Sequence, residues 1–218
     1  MNIIYLLFHG LSPYSGISKK ILHQVKGFEA CGHRVSLCTY SIADNGHRVR
    51  MINNEIIEDY GTGKPAAAKR RVSYQCIYRY AITHQVELIY VRSFHNANPF
   101  TIRLFSKLRK AGIKIAMEIP TYPYDSEYAG FPLVTRLGIQ VDKVFRKTLA
   151  KHVNAIVTFS DYHCIFGQRT IQISNGVDFD SIPLKKTVSK NTSVIHLLGV
   201  AEVHYWHGYD RLIEGLGK

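Results

Sequence analysis

The feature that most constrains this chain is an alternation of short apolar runs with longer amphipathic stretches. Asn2 to Phe8 is a nearly unbroken apolar run, as expected of a strand covered on both faces of a parallel sheet. Ile17, Ile21, Val25 and Phe28 then recur at helical spacing, and Gly32 supplies a stop. Arg34 to Thr39 is the next strand, so the first forty residues form one βαβ unit with a right-handed crossover. The pattern continues with a helix over Val72–Thr83, a strand over Glu87–Val91 and a helix over Pro99–Ala111 with Phe100, Leu104 and Leu108 on one face. A strand over Ile113–Glu118, a helix over Thr135–Lys151 and a strand over Asn154–Phe159 follow. Val49–Tyr60 is ambiguous, with Asn53-Asn54 able to turn a hairpin. Repeated alternation predicts an α/β fold, a doubly wound parallel sheet of Rossmann-like type.

Near Ser174 the text changes. Residues 1–180 read as this first domain, and 181–193 read as a polar linker holding Pro183. A new apolar strand, Val194–Gly199, and a helix from His207 to Leu216 read as the incomplete start of a second α/β domain within 194–218. The end of the chain is expected to be a truncation.

The 46% hydrophobic content excludes a disordered chain. No run reaches the roughly 18 apolar residues of a bilayer span. Met1–Phe8 is too short, and lacks the basic flank, of a signal peptide. Cys31, Cys38, Cys76 and Cys164 are scattered without CxxC spacing, which reads as reduced thiols in a cytoplasmic protein with no metal site. His196, His204 and His207 lack the HExxH pattern.

Charge narrows the partners. Lys and Arg number 28 against 16 Asp and Glu, a net +12. Ten of these cations, from Lys64 to Lys110, face one acid, Glu87. Such a balance favours phosphates, anionic lipid or nucleic acid, or is simply a set of solvated helix faces. No helix-turn-helix, RNP or zinc pattern supports nucleic acid, which is not expected as a partner.

Several loops follow strands and so fall on the ligand face of such a sheet. His9–Gly16 leads into a helix whose first amides favour anions, making Ser15, Gly16 and Ile17 the candidate phosphate contacts. It is not a dinucleotide fingerprint. Gly61-Thr62-Gly63-Lys64-Pro65 lacks the spacing of a phosphate loop and is set aside. Arg92 and His95 follow one strand. Glu118 ends another, and the loop beyond it offers Thr121, Tyr122 and Glu127 as hydrogen-bonding groups for a hydroxylated ligand.

Four segments together resemble the N-terminal half of retaining glycosyltransferases of the GT-B fold, family 4 type. They are Ala30-Cys31-Gly32-His33-Arg34-Val35, Glu87-Leu88-Ile89-Tyr90-Val91-Arg92, Ile156-Val157-Thr158-Phe159-Ser160 with Ile173-Ser174-Asn175-Gly176-Val177-Asp178, and Leu198-Gly199 with His207-Gly208-Tyr209-Asp210-Arg211-Leu212-Ile213-Glu214. The resemblance implies transfer of a sugar, with retention, from a nucleotide-sugar such as a UDP- or GDP-sugar to a polysaccharide or lipid-linked acceptor. It implies no separate cofactor and no metal. Ser15, Gly16 and Ile17 would meet the donor diphosphate, and Arg92, His95, Glu118, Thr121, Tyr122 and Glu127 would lie on the acceptor side. Asn175 and Gly176 would begin the interdomain linker. Catalytic residues are not assigned, and this stretch alone is expected not to turn over. Pro120 stands where many members carry a His, and Gly199 is followed by Val200 where many carry an Arg. Basic helices such as Val72–Thr83 and Pro99–Ala111 could rest on an anionic inner-membrane surface. The rival reading is a non-catalytic Rossmann-like module that binds phosphorylated ligands or a partner chain.

Overall fold

A computed structural model describes residues 1–93, 95–125, 132–176, 178, 182, 197–199 and 208–217. The chain divides into two compact units, Met1–Val177 and Asp178–Lys218. The first is an α/β unit built on a mostly parallel sheet. Nine strands among the described residues run in the order β4-β3-β2-β1-β5-β6-β7-β9-β8.

Strand β1 (Asn2–Leu6) pairs in parallel with β2 (Arg34–Ile42) on one side and β5 (Leu88–Arg92) on the other. Beyond β5 come β6 (Lys114–Ile119), β7 (Ala155–Thr158) and β9 (Gln168–Gln172), all parallel. Antiparallel hairpins extend both edges. One is β3 (Arg48–Ile52) with β4 (Glu55–Asp59), the other β8 (Cys164–Ile165) with β9.

The period of two along β1 divides the core. Ile4 and Leu6 join one buried cluster, while Ile3, Tyr5 and Leu7 join another. Helix α1 (Gly16–Ala30) covers the second cluster with Ile21. Helices α3 (Gln75–Thr83), α4 (Pro99–Lys110) and α5 (Leu133–Ala150) cover the first, through Ile77, Leu104, Phe105 and Leu149. Helices on opposite faces are what a doubly wound sheet requires.

Most sequence expectations fall within a few residues of the observed elements. The ambiguous Val49–Tyr60 stretch is a hairpin: Asn53 and Asn54 both have positive φ, 49° and 70°, the two-residue primed turn that matches strand twist. Two expectations need correction, and one element was not expected. The single helix over Val72–Thr83 is two helices, because α2 (Gly63–Val72) ends there and α3 starts at Gln75. Between them Ser73 is extended, and Tyr74 is buried with its ring 5.8 Å from that of Phe8. The Gly63-Lys64-Pro65 stretch opens α2, where proline in the first turn costs no hydrogen bond. On α4, Phe100 is 45% exposed and Phe105 occupies the core in its place. The β8–β9 hairpin was not anticipated from the sequence; Phe166 and Gly167, at φ 53° and 81°, turn it.

In the second unit, α6 (Tyr209–Leu216) occupies most of the expected His207–Leu216 helix. The linker 181–193, apart from Ile182, and Val194–His196 of the expected strand lie outside the described residues. No helix among the described residues is long and apolar enough to cross a membrane.

Candidate functional site

Strands β1 and β5 are neighbours whose connections leave in opposite directions: β1 leads through α1 to β2, and β5 through α4 to β6. Loops diverging from such a switch point leave a crevice at the carboxyl ends of the strands. A cleft of about 670 Å³ opens there. Its wall comes from the β1–α1 loop (His9 to Ser18), from Lys20 on α1, from Arg92, Ser93 and His95 after β5, and from Ile119 to Thr121 and Tyr124 after β6.

The β1–α1 loop presents the start of a helix. Ser15 is the N-cap, with its hydroxyl accepting from the Ser18 N–H at 3.4 Å. The buried Ser18 Oγ accepts from the Ser12 N–H at 2.9 Å, fixing the loop back onto the helix. No acid stands in the first turn. The first-turn amides and the helix dipole are therefore uncompensated by a side-chain carboxylate. Gly16 lies open, with nothing within 4 Å of where a Cβ would stand.

Lys20 stands one turn further along α1. Its ammonium lies 3.5 Å from the centroid of the Phe159 ring and donates to Asn175 Oδ1 at 2.8 Å. Burial lowers its pKa; the charge of Glu118 opposes this, and that of Arg92 adds to it. A lysine whose charge is poorly solvated gains from an anion brought into the cleft.

Below the cleft floor lies a closed polar network. Arg92 ends β5, and Glu118 is its register partner on β6. They form a buried ion pair. Glu118 Oε2 also accepts from Gln24 Nε2 at 2.9 Å and from the Tyr90 hydroxyl at 2.7 Å. Gln24 in turn accepts from the Tyr5 hydroxyl at 2.6 Å. Burial first, and then the charge of Glu118, raise the pKa of both tyrosines, so they stay protonated donors. Every acidic oxygen here is occupied from within the fold.

The cleft wall carries no Asp or Glu among the described residues, and it holds Lys20, Arg92, His9 and His95. His95 sits in the left-handed region at φ 47°, its ring 4.6 Å from that of Tyr124. Burial lowers its pKa, so the imidazole is neutral at pH 7. Tyr124 donates to the buried Asp142 at 2.9 Å.

The structure thus brings Ser15, Gly16, Ile17, Arg92, His95 and Thr121 to one cleft. Glu118 lies behind this wall and is fully buried. Tyr122 packs edge-on against Tyr162 and Phe166, with ring centroids 4.9 and 5.5 Å away. Asn175 meets the cleft through Lys20, and Gly176 is exposed. Glu127 lies outside the described residues. Sequence reasoning missed Lys20, Ser93, Tyr124 and Gln24. The available signal for Lys20 was its position four residues after Gly16, one helical turn along the same face.

Among the described residues, no three of His, Cys, Asp and Glu converge as a metal site. His196, His204 and His207 lie outside them. No protein-family model and no curated protein matches this chain.

Proposed function

We propose that this chain carries the acceptor-side domain of a GT-B retaining glycosyltransferase. Its reaction moves a sugar from a nucleotide-sugar, such as a UDP- or GDP-sugar, to a polysaccharide or lipid-linked acceptor. One observation carries the reading: a cleft at the sheet's switch point, with no Asp or Glu among its described lining residues, combines an open helix N-terminus with two cations. Loss of a nucleoside diphosphate builds negative charge on the leaving oxygens. Preorganised amides and cations aimed at that charge lower the barrier without reorganising. The amides of Ser15 to Ile17 and the Lys20 ammonium take this role. Arg92, His95 and Thr121 line the opposite wall, where acceptor hydroxyls would find a neutral imidazole, a hydroxyl and a guanidinium.

The second reading, a non-catalytic module for phosphorylated ligands, is favoured by the same lack of acids among the described wall residues. The two part at turnover. Pyrophosphate, UDP and GDP titrated into the chain should shift the amide resonances of Ser15, Gly16 and Ile17. Lys20→Met should weaken that binding about tenfold, as expected for one charge-assisted contact of roughly 1.5 kcal/mol. Absence of diphosphate binding defeats both readings. Binding in the intact protein without sugar transfer from any UDP- or GDP-sugar leaves the binding module.

A further inference from the structure

A buried cation without an acidic partner stands against the start of the β1–α1 loop. Arg50 lies on β3, 1% exposed, and its register partner on β2 is Tyr40. The side chains that act most on its charge are Cys38, Tyr60 and Cys76. Arg70, on α2, is half-buried, with its guanidinium 4.0 Å from the centroid of the Tyr40 ring. Among the described residues no carboxylate pairs with either arginine. The Nε of each is buried without a hydrogen-bond partner. Burying charge in this way costs stability, and packing alone gives no reason for it.

What the two guanidiniums hold is the chain leaving β1. Arg50 donates to the Leu7 carbonyl at 2.7 Å, and Arg70 to the Phe8 carbonyl at 3.3 Å. The next carbonyl, of His9, accepts from the Tyr40 N–H at 3.3 Å. Three successive carbonyls are thus fixed from β3, α2 and β2. Arg50 also alters the ladder between β1 and β2. Leu7 donates to the Cys38 carbonyl at 2.8 Å. In a regular parallel ladder it would accept in turn from the Tyr40 N–H, two residues further along β2. Arg50 occupies that carbonyl instead, and the Tyr40 N–H bonds two residues later, at His9. The chain is therefore out of step with β2 where His9 and Gly10 reach the cleft wall. A carbonyl engaged by a guanidinium cannot turn its negative end toward a bound anion.

We propose that Arg50 and Arg70 are positioning residues for the anion-binding loop. They hold Leu7 to Gly10 out of step with β2 and keep those carbonyls on the β2 side. The N–H end of α1, and not carbonyl oxygen, then faces the cleft. Arginine suits this task at position 70, because its planar group donates at its edge while its face lies on the Tyr40 ring. The inference rests on the reading of the cleft as a diphosphate site.

The test titrates pyrophosphate into the chain and reads the amide resonances of Ser15, Gly16 and Ile17. Arg70→Met should weaken binding about fivefold or more, as loss of a supporting contact does. Its unfolding midpoint should stay close to wild type, because no carboxylate is left unpaired. Arg70→Lys keeps a charged donor and should bind more tightly than Arg70→Met. Arg103→Met removes the same charge from α4, outside the cleft wall, and should change affinity by less than about twofold. Arg50→Met replaces an unpaired buried charge by an apolar chain of similar length, which is compatible with folding. It should weaken binding as well, and should return the Tyr40 N–H from His9 to Leu7. The scalar coupling across that hydrogen bond, from the Tyr40 nitrogen to the His9 carbonyl carbon, should vanish. Unchanged affinity in the two methionine variants, an equal loss in Arg103→Met, a lysine variant no better than Arg70→Met, or an unmoved Tyr40 hydrogen bond in Arg50→Met would each overturn the proposal. A wild-type chain that does not bind pyrophosphate would defeat the reading of the cleft, and this inference with it. Binding by the wild type and equal binding by the Arg50 and Arg70 variants would defeat the inference alone.

Discussion

Arg92 and Glu118 face each other as register partners on adjacent parallel strands, and both are shut away from solvent. The guanidinium that edges the cleft is thus neutralised from beneath by a carboxylate that faces nothing but the fold. Glu118→Gln removes the charge and leaves Arg92 buried without a counter-ion. The expected loss is about 3–5 kcal/mol of stability, read from urea unfolding. Replacing both together, Arg92→Met with Glu118→Leu, should cost less than Glu118→Gln alone, because no unpaired charge remains. A Glu118→Gln protein as stable as wild type would show that the pair does not hold β5 to β6.

The two glycines of the β1–α1 loop should behave oppositely. A Cβ on Gly10 would stand 2.8 Å from the Tyr40 carbonyl oxygen, a backbone atom that cannot move aside cheaply. Gly10→Ala should destabilise by about 1–3 kcal/mol, as other overpacked sites do. Gly16 begins α1 and has open space at the same point. Gly16→Ala should leave the melting temperature unchanged or raise it slightly. Thermal unfolding of the two variants side by side decides this, and equal melting temperatures would contradict the loop geometry.

Asp125 provides the pH-dependent test. Its carboxylate accepts from both terminal nitrogens of Arg146, at 2.7 and 3.1 Å. Those hydrogen bonds first, and then the charges of Arg146 and Lys143, hold its pKa below the ordinary aspartate value. A carboxyl depressed in the folded state contributes stability that is fully present above its unfolded pKa. That stability is lost as the pH falls through the lower folded value. Asp125 is 38% exposed, so solvent screening limits the effect to at most about 1 kcal/mol. Asp125→Asn should be less stable than wild type at neutral pH, and the two should converge as the pH drops below the aspartate range. Unfolding curves that stay parallel to the most acidic pH tested would refute the pairing.

The four cysteines should divide into two kinetic classes. Cys31 and Cys164 are exposed, and Cys38 and Cys76 are buried. Burial pushes the Cys38 thiol up to about 11, and that of Cys76 upward as well. Since the thiolate is the nucleophile, neither buried group should react near neutral pH. Iodoacetamide with peptide mapping should label Cys31 and Cys164 in the native protein and reach the other two only in denaturant. Rapid native labelling of Cys38 would mean that β2 opens.

The alternating architecture was legible because its signal is local. The apolar run of β1 and the Ile21, Val25, Phe28 spacing of α1 report burial directly through their periods. The Asn53-Asn54 turn was legible for the same reason, since asparagine tolerates the required positive φ. The break between α2 and α3 was not. Ser73 and Tyr74 can both continue a helix, and it is the packing of Tyr74 beside Phe8, 66 residues earlier in sequence, that accompanies the break. The β8–β9 hairpin escaped because Gln168, Arg169 and Gln172 leave β9, the strand next to the edge strand β8, with little apolar alternation.

The candidate site divides in the same way. Sequence order alone placed Ser15, Gly16, Ile17, Arg92, His95 and Thr121 just past strand ends, where a doubly wound sheet gathers its loops. It could not tell which polar groups face the cleft and which face inward. Strand parity turns Glu118 toward the α1 side of the sheet with Ala116, where Gln24 and Tyr90 occupy its oxygens. Helical geometry brings Lys20 into the cleft beside Asn175, 155 residues away in sequence. The sequence by itself determined the elements, their order and the +12 charge, because propensity, period and charge are properties of neighbouring residues. Only the tertiary structure decided which carboxylate is shut inside and which lysine meets the ligand face. Those outcomes depend on the register between strands and the rotation of helices about their axes, which the long-range packing of the core sets.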